Sequence, residues 1–176
     1  VMGIELLLEA YKDVLKKVPK ARLLLTGDGP ELEKYKRYAK MIGLGKKAVF
    51  TGYVSSHRDV DEFLRKGAIG VALFAPDKSS YEYYSDVGKP KAYLAAGMPV
   101  IITHVPEIAD IIERSKAGIV IPYSRDDLVH ALIRLLKNEQ VYREYRKNAI
   151  LLSKKYVWST IFRFTWQQTM DYLNSI

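Results

Sequence analysis

The stretch Tyr84-Ser85-Asp86-Val87-Gly88-Lys89-Pro90-Lys91-Ala92-Tyr93-Leu94-Ala95-Ala96-Gly97-Met98-Pro99-Val100-Ile101-Ile102 decides the fold. It reads as a loop, a helix start, a short apolar helix, a stop and a buried strand. Ser85 or Asp86 is the expected helix cap, because a short side-chain oxygen accepts from the free N–H groups of a helix start. Gly88 leaves room for a ligand to approach the backbone. Lys89 adds a cation beside the positive end of the helix dipole, a combination suited to phosphate or diphosphate. Gly97 fits the left-handed residue after a helix, and Pro99 prevents continuation. Val100-Ile101-Ile102 is apolar and β-branched, as in strands of buried parallel sheets.

Outward from this stretch the same alternation recurs. Towards the N-terminus, Ile4, Leu7, Leu8, Tyr11, Val14, Leu15 and Val18 share one helical face, and Pro19 ends that helix. Ala21–Thr26 is a strand running into Gly27-Asp28-Gly29-Pro30. A helix follows to Gly43, then strand Ala48–Thr51 and the loop Gly52-Tyr53-Val54. Ser56 with Asp59 has the spacing of a capping box for a helix over 58–66. Ala68–Phe74 is the central strand, and the tyrosine-rich loop 75–84 leads back to the opening stretch. Beyond Thr103 come a helix opened by Pro106, the strand Ala117–Ile121, a helix capped by Ser124, a long helix over 138–155 and a final helix from Trp158 to Ile176.

Helices alternating with strands imply a parallel sheet wound on both faces, the α/β doubly wound or Rossmann-like class. Ligands in such folds sit outside the carboxyl ends of the strands. Three loops leave strands on that edge: Gly27–Pro30, Gly52–Ser56 and Ala75–Gly88. Since no strand precedes the first helix, the chain reads as a piece of a longer protein. Two units are expected: residues 1–156 as a ligand-binding domain, and 157–176 as a terminal helix that packs along the sheet edge or reaches towards a partner domain.

Composition narrows the possibilities. With 176 residues and 48% hydrophobic content, a real core can form. There are no cysteines, which excludes disulfides, cysteine metal sites and cysteine nucleophiles. His57, His104 and His130 lack metal-ligand spacing. His57 falls at a helix start, His130 inside a helix, and His104 directly after a strand, where it can face the crevice. No signal peptide is read, and no apolar run reaches the roughly 18 residues of a membrane span. The net charge is +8. No nucleic-acid motif accompanies it, so it is read as solvated helix faces or as attraction to an anionic substrate or membrane surface. Abundant Lys, Tyr and Ile without Cys has the flavour of a thermophile.

Each local signal has a plain structural reading beside the functional one. Gly27-Asp28-Gly29-Pro30 lacks the third glycine of the dinucleotide fingerprint, where Leu32 stands. It is either a strand-to-helix turn or a place of close backbone approach to a ligand. Asp86 and Lys89 are a cap with a surface lysine, or they meet a hydroxyl and a phosphate. Tyr81, Tyr83 and Tyr84 form a loop patch or a ring for sugar stacking. Trp158 and Trp166 are read as packing anchors of the last helix.

Taken in order, these pieces resemble the C-terminal, donor-binding domain of retaining two-domain GT-B glycosyltransferases, of the group-1 or lipopolysaccharide mannosyl- and glucosyltransferase type. Leu23-Leu24-Leu25-Thr26-Gly27-Asp28-Gly29-Pro30, Val49-Phe50-Thr51-Gly52-Tyr53-Val54 and Ala117–Ile121 with Asp126-Asp127-Leu128 each match a family segment. The most specific match is Gly88-Lys89 through Lys91-Ala92-Tyr93-Leu94-Ala95-Ala96-Gly97-Met98-Pro99-Val100-Ile101.

The resemblance implies a hexosyltransferase half-enzyme acting in polysaccharide or glycolipid synthesis, inactive as an isolated fragment. Gly27 and Gly29 would approach the nucleoside diphosphate sugar, and Tyr53 and Val54 would contact the base. Ser85, Asp86, Val87, Gly88 and Lys89 would lie along the phosphates and sugar, with Lys89 catalytic through charge neutralisation. Neither a metal nor another cofactor is implied. A glycan or lipid-linked acceptor would meet an N-terminal domain, to which the last helix crosses back. The setting would be cytoplasmic, with peripheral contact at an anionic membrane face as one use of the positive charge, and without nucleic-acid partners.

Two departures stand out. Ala92 replaces a glutamate able to accept from both ribose hydroxyls, a loss of ~1–3 kcal/mol in binding. Met2 stands where the family places a lysine near the donor phosphates. These changes leave two rivals open: an inactive glycosyltransferase-like binding module and a sugar-nucleotide epimerase.

Overall fold

A computed structural model describes residues 3–79 and 83–175. Met2 and Tyr81 lie outside the described residues. The elements, in order, are α1 (Ile4–Lys17), β1 (Leu23–Leu25), α2 (Leu32–Met41), β2 (Ala48–Phe50), α3 (His57–Leu64), β3 (Gly70–Ala72), α4 (Gly88–Ala95), β4 (Val100–Thr103), α5 (Ile108–Arg114), β5 (Gly118–Ile121), α6 (Arg125–Lys137), α7 (Glu139–Ser153) and α8 (Trp158–Leu173).

All strand pairings within the named strands are parallel, as the alternation predicts. The strands form two sheets, β1–β2 and β3–β4–β5, where the sequence reading predicts one. Alternation dictates strand direction; which edges meet is decided by the packing of helices between them. Both sheets still share a core. Leu8, Val14, Tyr35, Leu73, Ile101, Ile121, Leu128 and Leu135 pack together, and Leu23 and Leu25 lie against them.

The two faces of β4 show why the helices divide as they do. Side chains alternate across a strand. Ile101 joins the core under α1, α2 and α6, whereas Val100 and Ile102 join Leu94, Ile108, Ile112 and Leu152 under α4, α5 and α7. Thr103 is fully buried and pays for its hydroxyl twice over: Oγ1 accepts from the Phe74 N–H at 2.8 Å and donates to the Phe74 carbonyl at 2.9 Å. That exchange extends the β3–β4 pairing to the carboxyl edge.

Helix boundaries follow their caps. Ser56 Oγ accepts from the Asp59 N–H at 3.0 Å, and Ser124 Oγ accepts from the Asp127 N–H at 3.4 Å. Asn138 caps α7 through the Val141 N–H at 3.0 Å, a cap the sequence reading does not pick out. Gly97 carries φ +74, the left-handed helix stop expected of it.

The two tryptophans of the terminal helix depart from expectation. No residue of α8 is buried, and Trp158 and Trp166 are 71% and 68% exposed. They are therefore not packing anchors among the described residues. α8 packs against the turn at 154–156 that leads into it, and Trp158 stacks on Phe162 with ring centroids 5.7 Å apart. No helix of the described residues is long and apolar enough to cross a membrane.

Candidate functional site

The loops after β1 and β2 meet at the carboxyl edge. The Gly27 N–H donates to the Gly52 carbonyl at 3.0 Å, closing a short antiparallel bridge beyond the parallel strands. Gly27 and Gly52 have φ +128 and +73, conformations that side chains rarely adopt. Thr51 Oγ1 donates to Thr26 Oγ1 at 3.0 Å and reinforces the join. The Gly29 N–H donates to the Asp28 carboxylate at 2.8 Å. A Cβ added at Gly27, Gly29 or Gly52 would meet nothing within 4 Å, so these glycines border open space. Tyr53 projects from the same edge, 74% exposed, and Val54 is half-buried. The sequence-predicted residues of these two loops are thus brought together.

The second wall is the start of α4. Its N-cap position is Val87, and no side chain caps it. The expectation that Ser85 or Asp86 caps this helix is therefore corrected. Val87 offers no acceptor, and the Asp86 carboxylate is engaged elsewhere: Lys91 Nζ donates to Asp86 Oδ2 at 2.5 Å. The start of α4 is thus left without a side-chain cap from its N-cap residue, with Gly88 in open space and Lys89 exposed on the same turn. An uncapped start and a cation together attract anions.

Ala92 is exposed one turn further on. Its neighbour Tyr93 turns inward, and burial pushes the Tyr93 phenol pKa above its ordinary value. Tyr83 and Tyr84 lie in the loop with centroids 5.1 Å apart, Tyr84 being 74% exposed. Among the histidines, His104 follows β4 and is exposed, with Nε2 2.8 Å from Asp110 Oδ1. His57 and His130 are exposed. Lys91 and Tyr156, which the sequence reading passes over, join the second wall. Lys91 Nζ lies 5.0 Å from the centroid of the Tyr156 ring. Only the folding of the turn after α7 onto α4 brings position 156 there, so no local sequence signal marks it.

A shallow depression lined by Arg143, Arg146, Lys147, Ile150 and Leu151 sits on α7 beside Gly97, at the far end of α4 from Lys89. It is separate from these loops.

Comparison with known proteins gives a consistent picture. The family model described as "Glycosyl transferases group 1" matches residues 1–138. The sulfoquinovosyl transferase of Arabidopsis thaliana is 31% identical over 161 residues, covering 89% of this chain and 29% of that protein. The curated relatives it matches are much longer, the chain spanning 28–40% of their lengths. The C-terminal domain of a group 1 family glycosyltransferase (LpcC) from Francisella tularensis superposes with TM-score 0.73 at 21% identity, over 88% of this chain and 79% of that one. The pneumococcal O-GlcNAc transferase GtfA, solved with UDP and GlcNAc, superposes with TM-score 0.78 at 15% identity, over 97% of this chain and 33% of that one. At these identities the structural likenesses show the fold, that of a GT-B half.

Proposed function

Because this chain belongs to the group 1 glycosyltransferases, we propose that its carboxyl sheet edge binds the nucleoside diphosphate of an activated sugar, as the donor half of a retaining hexosyltransferase. The observation that carries this reading is the uncapped start of α4 with Lys89 on its first turn. Backbone N–H groups at the positive end of a helix dipole, beside a cation, suit a diphosphate. UDP bound to GtfA, a protein of the same fold, supports the choice of ligand.

In this reading Gly27, Gly29, Tyr53 and Val54 form the base side of the crevice. Val87, Gly88 and Lys89 line the diphosphate side. Asp86 is held by Lys91, so recognition of a sugar hydroxyl falls to Ser85. As the glycosidic bond to phosphate breaks, negative charge grows on the departing diphosphate. Lys89 and the α4 N–H groups stabilise it, an electrostatic contribution greater in the transition state than in the ground state. That arrangement handles the leaving group without a metal ion. The glycan or lipid-linked acceptor would bind a preceding domain, and the exposed aromatic face of α8 would pack there. The isolated chain is then expected to bind donor without turnover. A cytoplasmic setting with peripheral membrane contact suits the +8 charge.

Calorimetry with UDP- and GDP-sugars tests the proposal. Saturable binding below millimolar concentration is expected for one base; no heat with any nucleotide at millimolar concentration sinks it. Ala92 keeps one rival in view, the inactive binding module, because no carboxylate stands there for the ribose. Restoring Glu at position 92 in the full-length protein separates the two: the donor reading expects tighter binding and higher turnover. Donor consumption without an acceptor would instead favour an epimerase.

A further inference from the structure

The site contains a conflict of charge that the sequence alone does not reveal. Asp86 lies two residues before the first residue of α4, where a carboxylate competes with a bound anion for the same N–H groups. Its charge would also repel a diphosphate. In the structure Asp86 is turned away from that role. Lys91, one turn into the helix, takes it at 2.5 Å, and the Lys91 side chain is only 27% exposed. The ammonium also sits 5.0 Å from the centroid of Tyr156, whose ring packs in the cluster that holds Val87. An aromatic face stabilises a partly desolvated ammonium. Asp86 and Glu107 both lie near enough to Tyr156 to raise its phenol pKa, after the larger effect of burial.

We infer that Lys91 and Tyr156 are positioning residues of the donor site: Tyr156 holds the Lys91 ammonium, and Lys91 holds Asp86 off the start of α4. The inference rests on the donor reading above. Lys91 then acts on the ligand through Asp86. Removing it frees a carboxylate to cap α4 and occupy the anion position. Tyr156 lies one residue before the N-cap of α8, so the same contact ties the phosphate loop to the root of the terminal helix.

The test is calorimetry of the 176-residue chain with UDP and GDP, alongside thermal unfolding of every variant. For whichever diphosphate the unaltered chain binds, Lys91→Met is expected to weaken affinity about tenfold. Adding Asp86→Ala to Lys91→Met should return most of that loss. Tyr156→Leu should weaken binding roughly threefold, whereas Tyr156→Phe, which keeps the ring, should bind as the unaltered chain does. A merely structural lysine would not be rescued by deleting its partner. Unchanged affinity in Lys91→Met overturns the inference and leaves the donor reading standing. So does a double variant as weak as the single one. Binding of neither diphosphate by the unaltered chain removes both. If Lys91→Met alone fails to fold, the double variant and the Tyr156 pair decide.

Discussion

Strands β4 and β1 carry nearly the same chemistry, Val100-Ile101-Ile102 against Leu23-Leu24-Leu25, yet all of β4 is buried and none of β1 is. β4 pairs on both edges, with β3 and β5, and has helices over both faces. β1 pairs on one edge, with β2. Apolar composition makes a strand able to be buried; the number of neighbours decides whether it is. The two halves of the carboxyl edge inherit the difference. The loop before α4 stands on the densely packed half, and the Gly27 and Gly52 loops stand on the open one.

The sharpest way to break this comparison is at glycine. A Cβ on Gly118 would lie 1.9 Å from the Val100 carbonyl oxygen and 2.8 Å from Ile112. Gly118→Ala is expected to cost more than about 4 kcal/mol or to abolish soluble expression, whereas Gly29→Ala, with open space around it, should stay within about 0.5 kcal/mol. Urea unfolding of the two variants measures both. Equal losses would mean that the open half is packed as tightly as the closed one.

Next in size come the strand side chains. Ile102→Ala removes a fully buried side chain and should cost about 3 kcal/mol, against about 1 kcal/mol for half-buried Leu24→Ala. The ratio of the two midpoint shifts sharpens the comparison. A Leu24→Ala loss as large as that of Ile102→Ala would contradict it.

Tyr11 probes the core beneath α1. Its hydroxyl is buried without a hydrogen-bond partner among the described residues, and burial, partly offset by Arg22, pushes its pKa up to about 12. The folded state therefore holds this proton more tightly than the unfolded chain. The corresponding stability is fully present below pH 10 and is lost as pH rises from there towards 12. Tyr11→Phe should leave neutral-pH stability unchanged or slightly higher, since an unpaired buried hydroxyl is removed. It should also make the alkaline fall in thermal midpoint shallower. A fall of unchanged steepness would show that Tyr11 takes no part in it.

The smallest effect is expected in α8. Trp158→Ser removes a large aromatic residue that is 71% exposed. The isolated chain should lose less than about 0.5 kcal/mol. A loss of several kcal/mol would place α8 in the fold of this domain after all.

Much of the site was legible locally, and the reason is chemical. The Gly27 and Gly52 turns need backbone conformations that glycine alone adopts readily. The start of α4 lies beside a lysine, and Gly97 with Pro99 marks its end. The cap is not legible because Asp86 has two possible partners: the N–H groups beside it in sequence and Lys91 one turn on. Lys91 takes the carboxylate in the fold, with the Tyr156 ring centroid 5.0 Å from its ammonium. Trp158 and Trp166 read as anchors because large aromatics usually bury; nothing in their own stretch states what they would bury against.

The sequence by itself determined the order of elements, the parallel direction of the strands, the α/β class and the edge from which the glycine-bearing loops leave. Those follow from periodicity, caps and glycine, which act over a few residues. Tertiary structure decided which strand edges pair, how deeply each strand is buried, where α8 lies and which way Asp86 turns. Each of these is a competition between partners distant in the chain, and only packing brings the competitors within reach of one another.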